Sequence, residues 1–186
     1  MSVSKPVQYK AGSDERIHLI QGEFRVASGS NIVLTTTLGS CVATCLRDPV
    51  AGVGGMNHFL LPHGEDQGGS DAVRYGAYAM EVLINDLIHA GCRHDRLEAK
   101  LFGGARLSDN LPDIGGQNVA FAEKFLRDEG ITLLEGSVRG HHARRIQFWP
   151  VSGRARQLAL SSNENAIFES EYRKRRTPMA GTVELF

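Results

Sequence analysis

Apolar and polar positions along the chain change period several times, and each change marks an element. Residues 17–27 and 31–38 are rich in Ile, Val, Leu and Thr and flank Ser28-Gly29-Ser30, which predicts two strands joined by a turn. Residues 42–46 and 52–61 form a second apolar pair around Arg47-Asp48-Pro49-Val50. Asp at the first and Pro at the second turn position suit type I geometry, so a hairpin is expected. With its turn centred between Pro49 and Val50, Cys41 lies directly opposite His58 on one face, where facing Cβ atoms are ~4.5–5.5 Å apart. A register different by one residue would send the two side chains to opposite faces.

Beyond Pro62, residues 63–71 read as a Gly-rich polar loop whose length fits the border of a site. A helix is expected over 71–90, where Tyr75, Ala79, Leu83 and Leu87, with Met80, Ile84 and Ile88, recur at three and four and Gly91 stands as the cap. Residues 96–102 alternate, with Leu97, Ala99 and Leu101 on one face, and end at Gly103-Gly104 as a half-buried strand. A second helix over 117–129 turns Val119, Ala122, Phe125 and Leu126 inward and is capped by Gly130. Residues 131–136, 144–151 and 156–160 read as further strands, and Ser161-Ser162-Asn163-Glu164 has capping-box spacing for a short helix to about residue 173. Strands clustered first and then mixed with helices define an α+β, mixed α/β, class without regular βαβ winding. The expected organisation is a mobile N-terminal arm at 1–15, one domain at 16–161 and a C-terminal extension at 162–186. A chain of 186 residues fits a single core.

Charge changes the picture by exclusion. Twenty-one basic and twenty-one acidic residues cancel, so no global field draws the chain to nucleic acid or an anionic membrane. No apolar run approaches the ~18–20 residues that span a bilayer, and residues 1–10 lack a signal-peptide core, so a cytoplasmic protein is expected. Cys41, Cys45 and Cys92 are odd in number and unpaired in spacing, which argues against a disulfide framework and a structural zinc site. The glycines at 52–55, 68–69 and 103–104 do not match a dinucleotide or phosphate loop, so no cofactor is expected.

The sharpest candidate chemistry is Cys41, just after the Gly39-Ser40 turn, with His58 as its base. A neighbouring imidazole activates a thiol by forming a thiolate–imidazolium pair. The plain alternative is a small buried Cys41 and a hydrogen-bonded core His58. The glycine turn weighs toward chemistry, because it lets successive amides converge on one point; those of Ser40 and Cys41 are the oxyanion candidates. Thr35, Thr36, Thr37 and Asn57 could each orient the imidazole, and spacing does not choose among them. Cys45, Cys92, the pair His141-His142 and the run Arg173-Lys174-Arg175-Arg176 read as packing or solvated surface.

Five blocks in matching order give the chain a family resemblance. Thr-x-x-Leu-Gly-Ser-Cys-Val at 35–42, Arg47-Asp48-Pro49, Gly55-Met56-Asn57-His58-Phe59-Leu60-Leu61-Pro62, Glu98-Ala99-Lys100-Leu101-Phe102-Gly103-Gly104-Ala105 and Ile114-Gly115-Gly116-Gln117-Asn118-Val119 resemble the CheD family of chemoreceptor glutamine deamidases. The resemblance implies nucleophile Cys41, base His58 and, six residues before the cysteine, Thr35 as third member. It implies hydrolysis of receptor glutamine to glutamate and ammonia through a thioester, serving adaptation in chemotaxis, with modest methylesterase activity as a by-product. The implied partners are the cytoplasmic helical region of chemoreceptors and, for some members, a CheC-type phosphatase. The implied fold is a layered α/β/β/α sandwich shared with a deamidating toxin domain. Two rival readings are a non-catalytic adaptor using the same cleft and a redox thiol pairing Cys41 with Cys45.

Overall fold

The computed structural model describes residues 14–62, 69–108, 112–161 and Glu164. Ten strands appear in these residues: β1 (Glu15–His18), β2 (Phe24–Ala27), β3 (Ile32–Leu38), β4 (Val42–Asp48), β5 (Val53–Asn57), β6 (Glu98–Gly103), β7 (Thr132–Leu133), β8 (Ser137–Val138), β9 (Arg144–Phe148) and β10 (Ala155–Ala159). Helix α1 spans Gly69–His89 and α2 spans Ile114–Asp128.

Two mixed sheets result. One runs β1-β3-β9-β10; the other runs β2-β5-β4-β6-β7, with β8 also on β6. Alternation on β4 explains the layering. Val42 and Leu46 join Met80, Leu83, Leu87, Val119 and Leu126 in the core beneath the helices. Ala43 and Cys45 point the other way, into a core with Leu34, Leu38, Ile146 and Phe148 of the four-stranded sheet. Strand β4, at the centre of the six-stranded sheet, is thus buried on both faces, which is why residues 42–46 are apolar but for Thr44, whose hydroxyl donates to Met80 Sδ. The described residues form α/β/β layers, in agreement with the α+β class. Of the arm expected at 1–15, residues 1–13 lie outside them and Glu15 belongs to β1; of the loop expected at 63–71, residues 63–68 lie outside them and the rest is helical; the short helix expected after Ser161 also lies outside, Glu164 excepted.

Several expected elements differ in detail. The segment 17–27 is two strands in different sheets: β1 pairs parallel to β3, and β2 pairs antiparallel to β5. Helix α1 begins at Gly69 and α2 at Ile114, each ahead of the expected start. Gly115 and Gly116 hide the start of α2, where Asp113 accepts the Gly116 amide at 2.8 Å as a cap. Gly91 and Gly130 do cap the helices at φ +96° and +68°, with Cys92 N donating to Leu87 O and Ile131 N to Leu126 O. The stretch 131–136 divides into β7 and, beyond it, β8.

The hairpin register also differs, by two residues. Gly52, at φ +66°, donates to Asp48 O and lengthens the turn, so that Asp48 pairs with Val53 and Cys45 with Met56. By that register Cys41 faces Leu60, with Val42 bridged to Phe59. A two-residue slip preserves side-chain parity, so His58 stays on the face of Cys41 as a diagonal neighbour.

Asp48 secures this turn. Its Oδ1 accepts the Val50 and Ala51 amides, and its Oδ2 accepts the Arg93 amide and the Arg96 guanidinium at 2.6–2.9 Å. Burial alone would raise its pKa, but these donors hold it well below the ordinary carboxylate value. The carboxylate therefore supports the fold at neutral pH and loses that contribution as pH falls below the unfolded value of about 3.8. Asp48→Ala should lower the unfolding free energy at pH 7 by about 3 kcal/mol, since the amides and Arg96 lose their buried acceptor. Urea unfolding measures this, and a loss under about 1 kcal/mol would contradict the role given to Asp48.

Candidate active site

Strand β3 ends at Leu38, and Gly39-Ser40 turns the chain back so that Cys41 opens β4. Three carbonyls in this turn are pinned toward β6 and α2: Ala105 N donates to Gly39 O, Asn118 Nδ2 to Ser40 O and Gly104 N to Cys41 O, each at 2.8 Å. Every peptide here is trans, and in a trans peptide the N–H opposes the preceding C=O. The Ser40 and Cys41 amides therefore turn away from Ala105 and Asn118, which gives the two oxyanion candidates a common orientation.

Close backbone approach makes this possible. A Cβ at Gly103, which sits at φ +100°, would overlap Cys41 O, and one at Gly104, at φ +66°, would overlap Val119 and Gly115 O. Gly103 and Gly104 of the Gly-Gly-Ala block and Gly115 of the Ile-Gly-Gly block thus serve contact between β6, α2 and the cysteine turn. Asn118, fully buried, also accepts the Leu61 amide at 3.0 Å, so one side chain holds the Cys41 turn against the segment that follows His58.

His58 follows β5. Its amide donates to Glu23 O at 2.9 Å, and its carbonyl accepts Gly22 N at 2.7 Å, extending the β2 pairing past the strand end. The preceding Asn57 accepts the Thr44 amide and donates to Ala79 O, anchoring this strand end to α1. The imidazole enters the space between the sheets, where His58 Nδ1 lies 2.8 Å from Thr36 Oγ1. The Thr36 hydroxyl donates its one proton to Leu19 O at 2.8 Å, so it accepts from Nδ1–H, and the lone pair of the ring resides on Nε2. Among the described residues, Nε2 is the one buried side-chain nitrogen or oxygen without a hydrogen-bond partner.

Thr35 does not make this contact. It faces away from the inter-sheet core, half-buried, with Oγ1 3.2 Å from His18 Nδ1. The hydroxyl on the imidazole is that of Thr36, five residues before Cys41.

Cys41 and His58 are covered, at 2% and 6% exposure. The Cys41 thiol donates to Gln21 Oε1 at 3.6 Å, and Gln21 itself is exposed. None of the three cysteines is in a disulfide. Burial pushes the thiol pKa of Cys45, and of Cys92, above the ordinary value, which leaves both as packed thiols. His141 and His142 are exposed, and the described residues contain no group of three or more His, Cys, Asp or Glu that could hold a metal ion. No described helix is long and apolar enough to cross a membrane.

Gln21, Thr36 and Asn118 were not singled out by spacing. Asn118 carried a legible signal: it is a polar residue on the apolar stripe of α2, one turn before Ala122.

A cysteine on the same face as an imidazole that has one nitrogen held and the other unpartnered is a candidate for thiol-dependent acyl transfer. A family model described as CheD chemotactic sensory transduction matches residues 60–158. Three similar proteins carry the name probable chemoreceptor glutamine deamidase CheD. That of Acidiphilium cryptum is 58% identical over 177 residues, covering 92% of this chain and 93% of its own. That of Caulobacter vibrioides is 60% identical over 147 residues, with 78% and 79% covered. That of Agrobacterium fabrum is 53% identical over 175 residues, with 92% and 97% covered. The chain belongs to the CheD family.

Burial pulls the His58 pKa from its ordinary 6.5 down to about 4; nearby His18 adds to this, while the Leu19 carbonyl and Glu23 oppose it. The imidazole is therefore neutral at pH 7. Because the unfolded chain binds this proton more tightly, the contribution of His58 to stability is complete above about pH 6.5 and declines toward pH 4. A ¹⁵N-histidine NMR titration should show one ring titrating near pH 4 that is absent in His58→Gln. Between pH 7 and 5 the wild type should lose more stability than that variant, and equal losses would contradict a buried neutral imidazole.

Proposed function

We propose that the protein hydrolyses glutamine side chains of methyl-accepting chemotaxis receptors to glutamate, with release of ammonia, using Cys41 as nucleophile and His58 as base. The names carried by its relatives support the substrate class. The observation that carries the mechanism is the chain of contacts from Leu19 O through the Thr36 hydroxyl to His58 Nδ1, which leaves Nε2 unpartnered.

The reaction starts from a neutral pair. Burial disfavours an imidazolium before substrate binds, so the thiol proton moves to Nε2 as sulfur attacks the carboxamide carbon. Negative charge on the carboxamide oxygen meets the Ser40 and Cys41 amides. Collapse of the adduct expels ammonia with the proton from Nε2, and water activated by neutral His58 cleaves the thioester. Each cycle adds one negative charge to the helical receptor, the electrostatic change through which the enzyme serves adaptation. Thr36 positions the base: its hydroxyl selects the tautomer and ring orientation, the role a third group plays in hydrolytic triads.

Ammonia release and receptor mass, measured on a purified chemoreceptor cytoplasmic fragment, test both claims. Cys41→Ala should release no ammonia. Thr36→Val, which keeps the shape and removes the hydroxyl, should lower kcat about ten- to a hundredfold, while Thr35→Val stays within about twofold of wild type. Activity retained in Cys41→Ala refutes the reaction; the reverse order of the two threonine variants refutes the role of Thr36.

A further inference from the structure

The turn 20–23 carries an exposed side chain, that of Gln21, whose Oε1 accepts from the Cys41 thiol at 3.6 Å. Glu23 N donates to Ile20 O at 3.1 Å, and Gly22, at φ +89°, occupies the third turn position, as a type II turn requires. Glu23 Oε2 accepts the Ile20 amide at 3.0 Å, Leu19 N donates to Thr35 O, and Gly22 N donates to His58 O. The backbone under Gln21 is therefore tied to both the β3 strand and the base, while its side chain extends to Cys41 Sγ.

One contact and the chemistry of the primary amide converge on this side chain. Cys41 exposes 2% of its surface and its thiol donates to Gln21 Oε1, so a substrate carboxamide bound at Sγ lies beside the Gln21 side chain. A primary amide carries an acceptor and two donors on one carbon, so a half-turn about its last bond exchanges them. The resting thiol is a donor and takes the oxygen end. Once the sulfur has given up its proton and charge gathers on the substrate oxygen, the NH₂ end is favoured.

We propose that Gln21 is a further catalytic residue of this centre, its side-chain NH₂ donating to the oxyanion beside the Ser40 and Cys41 amides. This rests on the hydrolytic reading above. In the step it serves, the Sγ–C bond forms, the carbonyl π pair moves to oxygen, the thiol proton passes to His58 Nε2, and Gln21 Nε2–H₂ hydrogen-bonds the new oxyanion. The donor retracts as the carbonyl re-forms and ammonia departs. The exposed turn makes Gln21 both the cover of the thiol and, after rotation, part of its anion site.

Steady-state kinetics of wild type, Gln21→Ala, Gln21→Glu and Cys41→Ala on a purified chemoreceptor cytoplasmic fragment test this, with urea midpoints confirming comparable folding. Gln21→Ala should lose roughly a hundredfold in kcat, with KM changed far less, as loss of one oxyanion donor does. Gln21→Glu keeps the shape but has no donor and adds a negative charge, so its kcat should fall further. A Gln21→Ala enzyme as fast as or faster than wild type overturns the proposal, because the side chain is then a mere occupant of the site. So does an effect confined to KM, or a Gln21→Glu enzyme that retains full kcat. Activity in Cys41→Ala would instead overturn the hydrolytic reading itself.

Discussion

The contact between Thr36 Oγ1 and His58 Nδ1 spans the gap between the two sheets. The hydroxyl has one proton to give, and the Leu19 carbonyl takes it, so the imidazole has one way to sit and one nitrogen left to work with. Three distant segments must agree for this to happen. The start of the chain supplies the carbonyl, β3 the hydroxyl and the end of β5 the ring. Each is held by backbone pairing to another: Leu19 to Thr35, and His58 to Gly22 and Glu23. A buried polar chain of this kind is tolerable because its protein-facing ends are satisfied. The unsatisfied end is Nε2 of the ring.

The cysteine side of the centre depends on a different constraint, absence of side chains. Gly103, Gly104 and Gly115 let β6 and the first turn of α2 come against the cysteine turn closely enough for backbone amides and Asn118 to seize three successive carbonyls. A methyl group at any of these positions would push the layers apart. The oxyanion candidates thus owe their direction to residues more than sixty positions away in the chain, and to no charged group.

Much of the fold was legible because periodicity survives small errors of register. A hairpin shifted by two residues still puts Cys41 and His58 on one face, since parity decides the face and the turn decides only the offset. The glycine caps were equally readable, and so were the helix faces apart from Tyr75 and Ile88, which were expected on the buried stripe of α1 and are exposed. What escaped was information held in tertiary contact. Nothing local shows that 17–27 divides between two sheets, because a strand entering either looks the same. Among consecutive threonines, alternation separates Thr36 from Thr35 and Thr37 but does not say which face meets the histidine, and the family spacing pointed to Thr35. Glycines opening α2 concealed a helix start because their purpose lies in β6. Gln21 gave no signal at all: a polar residue in an exposed turn is ordinary until the thiol beneath it is known.

The depth at which Cys41 sits also bears on how the protein endures its surroundings. Peroxides and stray electrophiles attack cysteines according to exposure as well as thiolate character, and at 2% exposure Cys41 offers them little surface. A thiol kept at this depth is shielded by its burial from irreversible oxidation and from chance encounters with unrelated proteins.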